Sequence, residues 1–127
     1  MGFNNKILGY IELTWVIIFI IFWIYFFIVE NKDKSKSKVY LAYERSFPFV
    51  DLGWIVPCLL LGGYGLLKSI SYGPIFSIIA GSSMIFLSIH DITFYLQQKI
   101  YSGIIDIMWL GHILMLISGG LLVKILF

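Results

Sequence analysis

Four apolar runs, 7–29, 49–67, 74–96 and 104–126, divide the chain, and each is close to the length of helix that crosses a bilayer. A helix rises 1.5 Å per residue, so about 20 residues cover the ~30 Å hydrocarbon layer. No water reaches that layer to satisfy backbone N–H and C=O groups, and runs of this length must therefore be helical. Hydrophobic residues make up 60% of the chain and charged residues 13%, against about 45–50% and roughly 25% in soluble domains. The expected fold is all-α: an integral membrane four-helix bundle, up-down and antiparallel, in one domain over 1–127 with 31–47 as a basic cytoplasmic connection. The first run exceeds the ~7–15-residue core of a signal peptide, and VENKDK follows it where a cleavage site would need small residues, so it is expected to stay as helix one.

The distribution of charge gives the orientation. Lys32, Lys34, Lys36, Lys38, Arg45 and Lys99 fall in the first and third connections, and Lys6, Lys68 and Lys124 fall on the other side. Six against three places the first connection in the cytoplasm and both termini outside, because cytoplasmic loops carry the excess of Lys and Arg. The rings of helix one, Trp15, Phe19, Phe22, Trp23, Phe26 and Phe27, are expected to face lipid and headgroups. Pro48 suits the first turn of helix two, where its missing N–H costs nothing, and Pro57 is expected to kink that helix.

Several chemistries are excluded. A single cysteine, Cys58, leaves no internal disulfide, no CxxC pair and no multi-thiolate metal site. There is no G-x-S-x-G elbow, no H-E-x-x-H and no glycine-rich phosphate loop, and the connections are too short for a nucleic-acid module. No metal site is expected.

The polar residues inside the runs are the informative ones. On helix three, spacings of three and four join Ser77, Gly81, Met84, Ser88, Asp91 and Tyr95 into one inward stripe. Helix two offers a comparable stripe of Asp51, Trp54, Cys58, Leu61 and Gly65. Glu12, Asp51 and Asp106 are placed in the first turns of their helices, where the positive end of the dipole favours an anion. Asp91 lies near the negative, C-terminal end of its helix and needs a partner or a proton, since a carboxylate at mid-bilayer depth costs about 2.5–3.5 kcal/mol. Arg45 is the expected partner, with Gln97 and Gln98 as further candidates. His90 lies about 100° round the helix from Asp91, which disfavours a direct dyad. His90 and His112 straddle the third connection at similar depth, an arrangement that would hold haem b iron if both faced one cavity.

With ERSFPFVDLGW before helix two and DITFYLQQKIY closing helix three, residues 44–101 resemble a group of small four-helix membrane proteins of prokaryotes that have no assigned activity. The resemblance implies a fold and no catalytic role for Arg45, Asp51 or Asp91. Glu12 is an acid in helix one, as in the small multidrug-resistance transporters, but its neighbours do not match that family.

The reading is a ligand-binding or accessory membrane protein, not an enzyme, with a cytoplasmic-side polar cluster of Arg45, Asp51, His90, Asp91 and Asp106 and no required cofactor. Its partners are the bilayer and either a membrane protein or further copies of the chain. The alternatives are an oligomeric proton-coupled carrier and a bis-histidine haem electron-transfer protein.

Overall fold

The computed structural model describes residues 3–127, and these form helices and no strands. Helix α1 (Phe3–Ile28) ends in a short 3-10 turn over Glu30–Lys32. Helix α2 (Lys38–Arg45) lies inside the first connection, started by Ser37, whose hydroxyl accepts the Tyr40 N–H at 3.1 Å. Helix α3 (Pro48–Val50), a π-helical turn (Asp51–Ile55) and α4 (Val56–Leu67) follow without a break. Helices α5 (Gly73–Gln97) and α6 (Ile107–Leu126) complete the chain. Among the described residues, four stretches are long and apolar enough to cross a membrane: Asn4–Lys32, Lys38–Leu67, Gly73–Gln97 and Ile107–Leu126.

Neighbouring helices pack in sequence order, α1 on α4, α4 on α5 and α5 on α6. The register is tight where side chains are absent. A Cβ on Gly81 would lie 2.9 Å from the Gly119 carbonyl oxygen, and one on Gly119 would lie 2.7 Å from that of Gly81, so α5 and α6 touch through backbone at this level. Close approach of this kind replaces the hydrophobic drive, which is weak between helices in lipid. The expected stripe on α5 is its buried face: Ser77, Gly81, Met84, Ser88, Asp91 and Tyr95 all point inward.

Helix two departs from the expected pattern at the π-helical turn. Pro57 offers no N–H to the Gly53 carbonyl and would clash with it at α-helical spacing, and the wider turn over Asp51–Ile55 relieves both problems. The extra residue in that turn rotates everything after it. Asp51 therefore shares its face with Ile55, Leu59, Gly62 and Leu66, all buried and each one residue later than the expected stripe; Cys58 and Gly65 stay buried beside them, while Trp54 and Leu61 are exposed.

The aromatic belt expected on helix one is also corrected. Trp15, Phe19, Trp23 and Phe26 are buried, Phe22 is half-buried, and only Phe27 of the six faces out. Trp15 and Phe19 pack into the main core with residues of α4, α5 and α6, and Trp23 and Phe26 are covered by α2, which folds back so that Tyr40 and Leu41 pack with them and with Tyr95. Large rings fill that wider space. The last helix begins three residues later than expected because Asp106 caps it, its Oδ1 accepting the Met108 N–H at 2.8 Å.

Candidate functional site: an acid-floored cleft between α1 and α6

The first and last helices do not pack along each other. Among the described residues their tie is the Trp15 indole N–H, which donates to the Ser118 hydroxyl at 2.9 Å. Beside that tie runs a cleft of about 570 Å³, within the roughly 300–1,000 Å³ range of small-molecule sites. One wall is α1, with Ile18, Phe19, Ile21, Phe22 and Tyr25, and the other is α6, with Ile107, Met108, Gly111, His112 and Met115. Ile18, Ile21, Tyr25 and Ile107 are exposed, so the cleft opens sideways between the helices.

Its floor is acidic. Glu44 of α2, Asp51 of the π-helical turn and Asp91 of α5 all border it, and Glu30 stands at its end. These three inner acids are 5%, 4% and 9% exposed, and no Lys or Arg lines the cleft. Each has a neutral hydrogen-bond donor. The Tyr95 hydroxyl donates to Glu44 Oε1 at 2.5 Å, the Trp23 indole N–H to Asp51 Oδ2 at 3.0 Å, and the Tyr43 hydroxyl to Asp91 Oδ1 at 2.8 Å. Asp51 Oδ1 is buried with no partner among the described residues. Glu30 accepts from the Tyr40 hydroxyl at 2.7 Å and has the Lys36 ammonium 3.9 Å away.

Asp91 also belongs to a string of polar groups. Tyr43 Oη stands 2.7 Å from His90 Nδ1, and because its one hydrogen goes to Asp91, His90 donates to it. On the other side His112 Nε2 is 3.5 Å from Asp91 Oδ2, and His112 Nδ1 is 2.5 Å from the Tyr101 hydroxyl. When the Tyr101 hydroxyl donates to Nδ1, the His112 hydrogen sits on Nε2, toward the carboxylate.

The structure divides the cluster expected from sequence. Asp51 and Asp91 meet at the cleft, and His90 joins Asp91 through Tyr43. Arg45 does not partner Asp91: it is exposed, and its Nε donates to Asn31 Oδ1 at 2.6 Å. Its place one residue after Glu44 turns it about 100° round α2, away from the cleft. Gln97 and Gln98 are exposed as well. Asp106 is a cap and not part of the floor. Hydrogen bonds from the Ser102 N–H, and further from Met108, hold its carboxyl below the usual carboxylate range.

Two acids carry more than sequence suggested. Glu44 sits in a Lys-rich connection, yet it repeats the Tyr40 face one turn on, and that four-residue spacing is the signal that marks it. Glu12 lies about two and a half turns inside α1, not in its first turn, and is fully buried. Ser77 donates to its Oε2 at 2.8 Å, and Gly62 leaves room for it, since a Cβ there would lie 2.5 Å from Oε1. A haem between His90 and His112 does not fit these positions, because His112 lines the cleft and His90 lies outside it, beside Tyr43 and Phe86. No group of three or more His, Cys, Asp or Glu among the described residues is placed to hold a metal ion.

Comparison with known protein families, with curated proteins and with solved structures gives no match. The functional reading accordingly rests on the geometry.

Proposed function

We propose that this chain is a multi-pass membrane protein that binds a small ligand in the lateral cleft between its first and last helices. One observation carries the reading: a space of ligand size, apolar on its walls, converges on buried acids that no Lys or Arg neutralises, the His112 imidazole beside Asp91 being the one basic group in the lining. Intramembrane ionisable groups are costly and are kept where they serve a site. In this reading the helices form an up-down antiparallel bundle. The excess of basic residues in the first and third connections supports a cytoplasmic position for them and for the acid floor beside them.

Gly111 provides the test of the cleft. It lines one wall, and a Cβ there meets nothing within 4 Å, so Gly111→Trp fills the space without displacing backbone. Protein in lipid discs is screened by thermal melting against bilayer-soluble compounds that are cationic, neutral and anionic. At least one class is expected to raise the melting temperature saturably in wild type and not in Gly111→Trp. Equal shifts in both proteins, or none in either, would refute the cleft as a binding site.

Orientation is tested separately with Ser35→Cys and Ser71→Cys, both at exposed positions, in a chain whose own Cys58 is buried. A membrane-impermeant maleimide is expected to label Cys at 71 in intact cells and Cys at 35 only after permeabilisation. The reverse pattern would invert the assignment.

A further inference from the structure

The chemistry of the cleft floor specifies the ligand further. Glu44, Asp51 and Asp91 bring acceptor oxygens to a space whose remaining lining is largely apolar, and no Lys or Arg lines it; the one basic group there, His112, stands 3.5 Å from Asp91 and leaves Glu44 and Asp51 without one. Their donors are phenols and an indole N–H, which are neutral at ordinary pH, so hydrogen bonding is supplied without charge. An independent sign of a missing ligand is Asp51, which is 4% exposed, borders the cleft, and has one oxygen with no donor among the described residues. A buried carboxylate oxygen without a donor loses its hydration and gains nothing in return.

The walls agree with the floor. Trp15, Phe19, Phe22, Tyr25 and Phe47 border the same space, and aromatic faces attract a cation through the ring quadrupole. An anion would meet like charge here, and a neutral apolar molecule would leave Asp51 unsatisfied. A small hydrated metal ion would leave the apolar length of the cleft unused.

Resting on the reading of the cleft as a binding site, we propose that its ligand is an organic ammonium ion with an apolar body, the N–H groups meeting Asp51 and Asp91 and the body lying between α1 and α6. The ligand enters sideways, past Ile18 and Ile21. The unpartnered Asp51 oxygen is the first acceptor for an ammonium N–H, and such charge-assisted bonds are the strong ones.

The test uses the full chain in phosphatidylcholine discs at fixed ionic strength and three probes of one shape: 4-phenylbutylamine, 4-phenylbutanol and 4-phenylbutyrate. Saturable shifts in melting temperature are read for wild type, Asp51→Asn and Gly111→Trp. The amine is expected to bind wild type at least about tenfold more tightly than the alcohol, the value of one charge-assisted hydrogen bond, and the carboxylate not at all. Asp51→Asn is expected to remove the preference for the amine and leave the alcohol unchanged. If Asp51→Asn does not fold, the comparison of the three probes on wild type still decides. Equal binding of amine and alcohol overturns the ammonium assignment while leaving the cleft intact. Stabilisation by sodium or calcium chloride as strong as by the amine assigns the floor to an inorganic cation, and also overturns it. If no probe gives a shift that Gly111→Trp removes, the cleft reading fails with it.

Discussion

Asp106 shows what one carboxyl outside the candidate membrane spans contributes. Its two oxygens accept from Met108 and from Ser102, closing the loop before α6 and satisfying the start of that helix. Asp106→Ala is expected to cost about 1 kcal/mol, the usual value of an N-cap, read as a lower melting temperature in detergent. The pH dependence has a definite sign. The folded carboxyl lies below its unfolded value of about 3.9, so its stabilisation is complete above that pH and is lost as the pH falls through the folded value. Wild type and variant should therefore converge in acid, and a gap unchanged down to about pH 2 would contradict the cap. At this scale the sequence was legible where the local pattern decides the environment. Asp91 could be placed on the inward stripe because three- and four-residue spacing determines a helix face. Its partners could not be read: Tyr43 and His112 reach it from other helices, and Arg45, the obvious cation, turns away with the face of α2 that it occupies.

Between elements, absent side chains determine how closely helices approach. The pair Gly119 and Gly120 separates contact from flexibility, since a Cβ on the first meets the Gly81 carbonyl oxygen and a Cβ on the second meets nothing. Gly119→Ala is expected to destabilise by about 1–3 kcal/mol, the range for overpacking. Gly120→Ala is expected to be neutral or to stabilise by up to about 1 kcal/mol, through the better helix propensity of alanine. Denaturant titration of the two variants checks this, and equal effects would sink the assignment. The pair of glycines in ISGGLL does not reveal from sequence which one faces α5. The same limit applied to helix two, where a π-helical turn of five residues moved Trp54 and Leu61 from the expected seam to the outside. Periodicity predicts faces only while the period holds.

For the molecule as a whole, the four apolar runs match the candidate spans to within about three residues except at the start of the second, which reaches back through α2 to Lys38; length and backbone hydrogen bonding constrain such runs strongly. The cleft was not legible, since it arises from a packing order in which α1 and α6 each have a neighbour on one side only. Buried rings on α1 follow from the same arrangement, which lets α2 fold over the open end. The most direct measurement is photolabelling with a diazirine on an apolar amine, carried out on the protein in lipid discs and mapped by peptide mass spectrometry. Saturable labelling is expected on residues 15–25 of α1 and 107–115 of α6, and Gly111→Trp should abolish it. Label spread evenly over exposed positions such as Ile75, Ile89 and Ile117, with no effect of Gly111→Trp, would show that the protein meets such molecules only as bulk lipid does.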